Sequence, residues 1–370
     1  MIGANDKIRI CIVGCGFIAN QKHMPSLKLL DNVEMVGFCD LVIEKAEEAR
    51  AKYGAPGAKV YTEYKQMFEE LKPDVVHVCT PNRSHSFITV DALEAGCHVM
   101  CEKPMAINSA EAKKMIDAAN RTGKTLTIGY QNRQRPEVQL LKKKVDEGVF
   151  GEIYYARAIA ERRRGVPNWG VFLNAYEQGG GPLIDIGTHS LDLTLWMMDN
   201  YKPAVCLGSA FHKMNREEEM YNTGKWNVNE FTVEDSAFGL VKMENGATIS
   251  VESSWALNVP ESIEAYTQFS GTKAGADMRG GARIFGVRNG EWYVDVYPYE
   301  EYVAPLKGSV KTSGDPDEEI EGVIEAKQWI DALVAGKKPC VLPEQAYCVT
   351  RILEGIYESS KTGKAYYFDN

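Results

Sequence analysis

The 370-residue sequence predicts an α/β protein in which a doubly wound parallel sheet is followed by an α+β domain with a large, mostly antiparallel sheet. Two observations support this fold class. Short apolar runs alternate with helical patterns in the first third of the chain, and longer strand patterns follow one another afterwards. The chain also exceeds the roughly 100–200 residues of one ordinary domain. We therefore expect two domains, residues 1–130 and residues 131–370.

The parallel sheet is predicted from apolar runs with the length of buried strands, at residues 7–13, 33–39, 75–79, 98–101 and 126–129. Helical patterns lie between them, at residues 25–30, 43–52, 86–95 and 110–121. A helix between two strands carries the chain back across the sheet, which parallel pairing requires. The carboxyl ends of these strands should therefore meet at one edge, where open α/β sheets bind their ligands.

The second domain is predicted from alternating strand patterns at residues 153–160, 237–243 and 247–255. Turn segments at residues 244–246 and 288–290 both contain Asn-Gly, a pair that favours the tight turns of hairpins. Because a hairpin joins antiparallel strands, this sheet should be mostly antiparallel. Two helical patterns follow, at residues 320–333 and 343–359.

A glycine-rich turn follows the first predicted strand directly, where residues 14–19 read G-C-G-F-I-A. Glycine permits a sharp turn and lets backbone N–H groups approach a pyrophosphate, which the N-terminus of the next helix also attracts. An ordinary tight turn is the alternative. The position between strand and helix favours a dinucleotide site, with Gly14, Gly16, Phe17 and Ile18 as cofactor-binding residues.

Asp40 ends the second predicted strand. A carboxylate at this point accepts a hydrogen bond from the ribose 2′-hydroxyl of NAD, and its charge repels the 2′-phosphate of NADP. A helix N-cap is the alternative role for an aspartate there. We expect NAD as the cofactor, with NADP disfavoured.

A polar segment follows the strand at residues 75–79, at the same edge of the predicted sheet. Its side chains and backbone groups are expected to line the nicotinamide side of the cofactor. The residues concerned are Thr80, Pro81, Asn82 and His85. For His85, capping of the next helix is an equally good interpretation.

Glu102 and Lys103 follow the strand at residues 98–101. As a cation, a lysine at this edge donates a hydrogen bond to a reacting oxygen and stabilises a developing alkoxide. A solvated surface lysine is the plain alternative. We expect both residues at the cofactor site, and Lys103 also in catalysis.

Asp185 and His189 are four residues apart and therefore share one face of the helix expected there. A carboxylate beside an imidazole orients it and raises its basicity, and histidine is suited to act as a general base toward a hydroxyl. The alternative is a capping aspartate and a histidine packed within an apolar helix.

In this order, the glycine loop, residues 80–85, Glu102-Lys103-Pro104, and the glycines that lead to Asp185 and His189 resemble the Gfo/Idh/MocA family of oxidoreductases. The resemblance implies an N-terminal Rossmann domain and a C-terminal domain whose open sheet face builds homodimers, homotetramers or homohexamers. It implies that Lys103, Asp185 and His189 are the catalytic trio, with Lys103 polarising a substrate hydroxyl and His189 taking its proton. Hydride transfer from the carbinol carbon to the nicotinamide then gives a ketone.

The family's substrates are mostly sugars, glycosides, inositols and nucleotide sugars, so the resemblance implies a small sugar, glycoside or polyol. Family members often approach the substrate just after the last Rossmann strand, and arginine and tryptophan suit hydroxyl binding and stacking on a sugar face. With the catalytic trio, the expected substrate contacts are Asn132, Arg133, Arg164 and Trp169. A solvated arginine edge and a core tryptophan are the alternative for the last two.

Residues 162–172 are similar to bacterial enzymes that oxidise the 3-hydroxyl of glucosides, so a glucoside is the expected substrate. Three alternatives stay open. The chain is otherwise an inositol or nucleotide-sugar dehydrogenase, an oxidoreductase that retains and recycles its cofactor, or a non-catalytic dinucleotide-binding sensor on the same scaffold.

Composition argues against several other partners. Lysine and arginine total 42 against 51 acidic residues, a net charge of −9, so nucleic acid and anionic membranes are poor partners. The nine cysteines contain no Cys-x-x-Cys pair and lie largely in apolar runs, which is typical of reduced, buried thiols, and we predict no metal site. Residues 1–7 lack the pattern of a signal peptide, and we expect a cytoplasmic protein without a membrane span.

Overall fold

The computed structural model describes residues 7–214, 216, 219–220, 224–298 and 320–369. The chain forms two compact units. The first unit contains Met1–Ala106, Ala110–Gln134 and Pro305–Ala346, and the second contains Ile107–Ser109, Arg135–Ala304 and Tyr347–Asn370. Both units are discontinuous in sequence, whereas the predicted domains, residues 1–130 and 131–370, are continuous. That functional division stays a prediction.

Six strands form the sheet of the first unit: β1 (Ile8–Val13), β2 (Val33–Cys39), β3 (Lys59–Tyr61), β4 (Val75–Val78), β5 (His98–Glu102) and β6 (Leu126–Gly129). They are parallel and lie in the order β3-β2-β1-β4-β5-β6. The order reverses between β1 and β4, which makes the carboxyl ends of these two strands the expected place for a ligand. The predicted doubly wound parallel sheet is confirmed.

The described α-helices are α1 (Met24–Lys28), α2 (Ile43–Tyr53), α3 (Tyr64–Leu71), α4 (His85–Glu94), α5 (Ser109–Thr122), α6 (Pro136–Asp146), α7 (Ala175–Gln178), α8 (Thr188–Met198), α9 (Ile320–Val334) and α10 (Pro343–Thr362). Wide π-helical turns at Ala19–His23 and Leu183–Gly187 run directly into α1 and α8. Tight 3₁₀ turns lie at Asn82–Ser84 and Gln131–Gln134. Each of these four turns lies in or beside a segment that carries candidate site residues.

Apolar side chains from distant parts of the chain build the core of the first unit. Ile8 and Ile10 of β1 lie in one cluster with Trp329 and Ile330 of α9. Strand β1 is buried along nearly its whole length, as a central strand covered on both faces must be. Helix α9 is predicted from its pattern, but its place in the first unit is a result of this packing.

Strand β3 and helix α3 lie outside the segments that the sequence pattern predicts. The three residues of β3 run from exposed Lys59 to buried Tyr61, so they contain no apolar run. Edge strands have only one neighbour to pair with, and short ones of this kind leave a weak signal.

The second unit contains a nine-stranded sheet made of β7 (Ile153–Glu161), β8 (Pro203–Phe211), β11 (Ser236–Met243), β12 (Thr248–Ser254), β13 (Ile263–Gly271), β14 (Ala274–Asp277), β15 (Ala282–Arg288), β16 (Glu291–Tyr297) and β17 (Tyr366–Tyr367). Their order is β16-β15-β14-β13-β7-β12-β11-β8-β17. Neighbours in this sheet pair antiparallel, except that β7 and β12 pair parallel. A separate short hairpin consists of β9 (Glu219–Met220) and β10 (Gly224–Lys225). The predicted mostly antiparallel sheet is confirmed.

The two faces of the nine-stranded sheet differ. On one face, Leu193 and Met197 of α8 pack in the same cluster as Phe269 of β13. On the other face, Leu207 of β8 and Leu240 of β11 are paired across the strands and are 56% and 54% exposed. We call this second surface the open face. No helix in the described ranges is long and apolar enough to cross a bilayer.

Candidate active site

The glycine loop lies between β1 and the helix that begins beside it, at the point where the strand order reverses. Gly14 has φ of +89°, and a Cβ there would lie 2.6 Å from the carbonyl oxygen of Cys79, so a side chain does not fit. Gly16 has no atom within 4 Å of the place of a Cβ. The loop is thus tight toward the end of β4 and open beside Gly16. A diphosphate fits this open cradle, because backbone N–H groups at a helix start are donors for it.

Asp40 lies beside the glycine loop and is tied to it. One carboxylate oxygen accepts a hydrogen bond from the N–H of Cys15 at 2.8 Å, and the other accepts from the N–H of Val42 at 2.9 Å. Each carboxylate oxygen has a second lone pair, so these bonds leave acceptor capacity for a ribose hydroxyl. Asp40 therefore holds the loop in place, and its expected contact with the ribose stays a prediction.

The two residues that follow Gly16 differ in exposure. The ring of Phe17 is 72% exposed, whereas Ile18 packs against the core of the first unit. Phe17 is therefore the residue of this pair whose side chain faces solvent at the loop. The backbone of both residues belongs to the start of the helix.

The segment after β4 is organised by hydrogen bonds between its own residues. The hydroxyl of Ser84 donates to the hydroxyl oxygen of Thr80 at 2.7 Å or to the carbonyl oxygen of Pro81 at 2.8 Å. Pro81 is exposed, Thr80 is half-buried and Asn82 is buried at the start of the 3₁₀ turn. These bonds fix a polar turn at the carboxyl end of β4.

His85 connects this turn to the segment after β5. Its ring is buried, and its two nitrogens lie 2.8 Å from the carbonyl oxygens of Thr80 and Pro104. Burial lowers the pKa of His85, and the neutral ring carries one N–H, so it donates to one of the two carbonyls at a time. The histidine thus links the loops that carry Thr80 and Lys103. Its expected direct contact with the cofactor stays a prediction.

Glu102 lies at the centre of a buried charged cluster that the sequence did not indicate. Its Oε1 atom lies 2.5 Å from the ammonium of Lys22 and 2.7 Å from Nε2 of His23. Lys22 also lies 3.2 Å from a carboxylate oxygen of Glu325 in α9. Burial raises the pKa of Glu102. The ion pair with Lys22 and the hydrogen bond from His23 outweigh this effect and hold the pKa well below its usual value. Glu102 is therefore a carboxylate.

The hydrogen bonds of this cluster fix the tautomers of two histidines. Because Glu102 is ionised, Nε2 of His23 donates to it. Burial lowers the pKa of both His23 and His77, so each neutral ring has a single N–H. Nδ1 of His23 is then an acceptor, and Nδ1 of His77 donates to it at 2.9 Å. The chain of donors runs from His77 through His23 to Glu102.

Lys103 is half-buried between two buried neighbours, Glu102 and Pro104. Its backbone N–H donates to Oε2 of Glu102 at 3.0 Å. The same carboxylate that accepts from Lys22 and His23 thus fixes the peptide from which the Lys103 side chain starts. Lys103 lies at the carboxyl end of β5, as the sequence predicts.

Asp185 and His189 belong to one continuous helix, formed by the π-helical turn at Leu183–Gly187 and α8. Both are half-buried, whereas their neighbours from residue 181 to residue 195 are otherwise buried. The spacing of four therefore places the two side chains at the accessible part of a buried helix. This pair belongs to the second unit, and Lys103 belongs to the first.

Trp255 contacts Asp185 and was not predicted as a site residue, whereas Arg162 lies in the arginine segment that the sequence places near the substrate and interacts electrostatically with Asp185. The indole N–H of Trp255, fully buried, donates to Oδ2 of Asp185 at 3.1 Å. Arg162 forms a bidentate pair with Glu264, with both contacts at 2.8 Å. Burial lowers the pKa of Arg162, but the carboxylates of Glu264 and Asp185 outweigh this effect and raise it. The buried indole N–H of Trp255 thus holds the Asp185 carboxylate, and the positive charge of Arg162 interacts with it electrostatically.

The remaining expected substrate contacts of the second unit lie at its surface. Arg164 donates to Asn258 at 2.8 Å, and the ring of Trp169 is 56% exposed and packs edge-to-face on Phe172. An exposed indole is available for stacking on a ligand. For Trp169, exposure speaks against the alternative of a core tryptophan.

Asn132 and Arg133 lie in the 3₁₀ turn after β6. Asn132 is half-buried, but the side chain of Arg133 is fully buried, and its guanidinium donates to the carbonyl oxygen of Cys340 and to Oε1 of Gln345. Arg133 therefore anchors the first unit internally. A substrate contact of either residue stays a prediction. Across the described ranges, three or more His, Cys, Asp or Glu side chains nowhere group as metal ligands do.

Comparison with known proteins agrees with this geometry. Residues 8–130 match the model of the oxidoreductase family with an NAD-binding Rossmann fold, and residues 138–277 match the Gfo/Idh/MocA C-terminal domain. The chain is 35% identical over 356 residues to the D-glucoside 3-dehydrogenase of Escherichia coli K12, covering 96% of both proteins. It is 30% identical over 193 residues to the inositol 2-dehydrogenase of Salmonella typhimurium LT2, covering 52% of this chain and 55% of that protein.

The fold is also that of a solved structure. An oxidoreductase domain protein from Kribbella flavida superimposes with a TM-score of 0.84 at 23% identity, covering 99% of this chain and 100% of that one. The glycine cradle and the order of the parallel strands are consistent with the NAD-binding Rossmann fold of the matched family. The chain belongs to the Gfo/Idh/MocA family of NAD-binding oxidoreductases.

Proposed function

We propose that this protein is an NAD-dependent dehydrogenase that oxidises a secondary ring hydroxyl of a sugar or glycoside to a ketone, with the 3-hydroxyl of a glucoside as the first candidate. The observation that carries the proposal is the pair of Asp185 and His189, half-exposed on an otherwise buried helix. The relationship to the D-glucoside 3-dehydrogenase of Escherichia coli, which extends along nearly the whole chain, supports the substrate class.

The cofactor would be held by residues of the first unit. The cradle beside Gly16 would take the diphosphate, Asp40 would accept from the adenosine ribose, and the exposed ring of Phe17 and the turn at Thr80, Pro81 and Asn82 would line the site. Bound NAD supplies the acceptor for the hydride that leaves the carbinol carbon. The carboxylate of Asp40 favours NAD over NADP.

The protein's own residues would handle the oxygen and its proton. As a cation, Lys103 donates a hydrogen bond to the substrate hydroxyl and stabilises the charge that develops on the oxygen. His189 takes the hydroxyl proton as general base, and Asp185 orients the imidazole. Trp255 in turn holds the Asp185 carboxylate. The O–H proton thus goes to the histidine as the C–H hydride leaves, and a carbonyl forms.

The alternatives have less support. The inositol 2-dehydrogenase relative covers about half of this chain, whereas the glucoside dehydrogenase relative covers nearly all of it. A non-catalytic sensor would not require a lysine, an aspartate and a histidine at the three catalytic positions.

The test is to incubate the purified protein with NAD and a panel of methyl glucosides, inositols, nucleotide sugars and uronates while following nicotinamide absorbance. Methyl 3-deoxyglucoside and methyl 2-deoxyglucoside are the matched pair. We expect NAD reduction with the glucoside and the 2-deoxy compound and none with the 3-deoxy compound. Turnover of the 3-deoxy compound would refute oxidation at position 3, and NAD reduction with inositols alone would refute the glucoside assignment.

We further propose that the protein is a cytoplasmic homodimer, homotetramer or homohexamer. The open face supports this, because Trp292, Val294 and Val296 alternate along β16 with their apolar side chains exposed, and Leu207 and Leu240 are exposed toward the other end of the sheet. The cysteines support the cytoplasmic location. All nine are free and eight are buried, and free thiols are typical of a reducing compartment.

A further inference from the structure

A second buried carboxylate, Glu234, lies just before β11 and has no role in the reaction described above. Its Oε2 atom accepts a hydrogen bond from the N–H of Gly181 at 2.8 Å. Its Oε1 atom accepts from the N–H of Leu183 at 3.1 Å and from the hydroxyl of Tyr357 at 2.7 Å. Gly181 precedes the helix that carries Asp185, and Leu183 is the first residue of this helix. Glu234 therefore binds this helix at its N-terminus.

The glycines that precede the helix are explained by this contact. A Cβ on Gly181 would lie 2.2 Å from the carbonyl oxygen of Glu234, and a Cβ on Gly180 would lie 2.2 Å from the hydroxyl of Tyr357. The clash with backbone requires glycine at position 181, and a side chain at position 180 would have to displace the Tyr357 phenol. The glycine segment thus lets the backbone approach the Glu234 carboxylate and the Tyr357 phenol.

Asp235, the residue after Glu234, also supports the helix that carries Asp185, in this case through Trp255. The carbonyl oxygen of Asp235 accepts from the backbone N–H of Trp255 at 3.0 Å. The indole N–H of Trp255 donates to the Asp185 carboxylate. The segment Glu234-Asp235 therefore supports the helix at its first turn and, through Trp255, at Asp185.

This arrangement keeps a carboxylate in an unfavourable environment. Glu234 is 4% exposed, and its three partners are two backbone amides and a phenol rather than a cation. Burial raises the pKa of Glu234 to about 7, against the effect of its hydrogen bonds. The positive end of the helix dipole compensates part of this burial. A glutamine side chain would avoid the desolvation of a charge, but its amide NH₂ would face one of the three donors.

We infer that Glu234 is a positioning residue for the catalytic pair: by accepting from Gly181, Leu183 and Tyr357, it sets the helix that presents Asp185 and His189 to the substrate. The inference rests on the proposed dehydrogenase function. Displacement of a reacting group by about 1 Å can lower a rate by about a hundredfold, so loss of this anchor acts mainly on kcat.

The test compares Glu234→Gln with Glu230→Gln, the same change at an exposed glutamate nearby. Glutamine keeps the size of the side chain but turns one acceptor into a donor that faces the donors of the helix. For Glu234→Gln we expect kcat with the glucoside to fall by about tenfold to a hundredfold, with KM changed by less than about threefold and unchanged NAD affinity. Amide hydrogen exchange in a peptide that covers residues 179–190 should become faster. Glu230→Gln should match the unsubstituted protein in all four measurements.

Tyr357→Phe removes one of the three donors without burying a new polar group, so it serves where Glu234→Gln does not fold. It should give smaller changes of the same kind. Near-normal kcat in both variants would overturn the positioning role, as would unchanged exchange at residues 179–190. If the unsubstituted protein turns over none of the tested glucosides, the proposed function fails, and the exchange measurement still decides whether Glu234 holds this segment.

Discussion

The ammonium of Lys22 lies 2.5 Å from Oε1 of Glu102 in the interior of the first unit, where the two side chains are 1% and 5% exposed. Lys22 and His23 are consecutive, yet both point into the same buried cluster. The π-helical turn at Ala19–His23 contains both residues. The ion pair is therefore formed by a residue within a local departure from the α-helix, and such wide turns often occur at functional sites.

Lys22→Met should destabilise the protein by about 3–5 kcal/mol, because it removes the ammonium that compensates the buried Glu102 carboxylate. Urea unfolding of the apoprotein measures this. Lys28→Met, at an exposed position of α1, is the control and should change the free energy of unfolding by no more than about 0.5 kcal/mol. The double variant Lys22→Met/Glu102→Gln should be more stable than Lys22→Met. A loss below about 1 kcal/mol in Lys22→Met would contradict the charged assignment of the cluster.

Lys103→Met and His189→Ala should each lower kcat with the true substrate by at least about a hundredfold, because each removes a group that acts on the reacting hydroxyl. NAD affinity, measured by calorimetric titration, should survive in His189→Ala. Arg163→Met, at an exposed position of the second unit, is the control. Near-normal turnover in both catalytic variants would show that the catalytic assignment is wrong.

Asp40→Asn should weaken NAD binding and reduce the preference for NAD over NADP by about tenfold, since it removes the charge that repels a 2′-phosphate. The structure makes asparagine the better variant, because its amide oxygen can still accept from one of the two N–H groups that Asp40 binds, whereas alanine accepts from neither. Asp40→Ala should disturb the loop as well and weaken both cofactors. Dissociation constants for the two cofactors test this, and an unchanged NAD to NADP ratio in Asp40→Asn would reject the ribose contact.

The buried histidines His77 and His23 should lower protein stability as the pH falls from 7 to 5, against an opposite contribution from Glu234, whose pKa burial raises. Burial lowers the pKa of His77 and of His23 in the folded protein, so below about 6.5 the unfolded chain binds more protons than the folded one. Each such histidine contributes a slope of up to about 1.4 kcal/mol per pH unit. His77→Gln should reduce the slope of the unfolding free energy against pH by that amount, whereas His212→Gln, at an exposed position, should not. Parallel slopes for the two variants and the unsubstituted protein would speak against a buried neutral His77.

Leu240→Glu should convert the proposed oligomer to a monomer, because it places a charge on the open face beside Leu207. Light scattering with size exclusion chromatography measures the mass. Lys337→Glu, at an exposed position of the first unit, is the control for an added charge. A monomeric unsubstituted protein would remove the oligomer proposal, and an oligomer that survives Leu240→Glu would locate its interface elsewhere.

Much of the first unit can be read from the chain because local pattern determines it. Buried parallel strands are continuous apolar runs, and glycines and helical periodicity separate them, so the central strands are predicted within a few residues. Strand β3 is missed because three residues at a sheet edge leave no such run. Helix α9 is predicted as a helix, but nothing local indicates that Trp329 packs with Ile8.

The residues of the candidate site also fall into two groups, those that the sequence predicts and those that only the structure shows. The motif spacing identifies Gly14, Asp40, Lys103 and the pair Asp185 and His189, because each follows a strand or shares a helix face. Their supporting residues leave no such signal. Trp255 is 70 residues from Asp185, and Glu234 is 53 residues from Gly181, so neither contact follows from any periodicity.

By itself, the sequence determined the alternation of strands and helices, the glycine loop and the residue types able to hold a dinucleotide and move a proton. These depend on backbone geometry and side-chain chemistry over a few residues. The tertiary structure decided which groups are charged and what holds them. The ion pair with Lys22 and the hydrogen bond from His23 keep Glu102 a carboxylate that fixes the Lys103 peptide, and three hydrogen-bond donors let Glu234 hold the helix of Asp185. Desolvation and long-range contacts exist only after folding, so no local pattern encodes them.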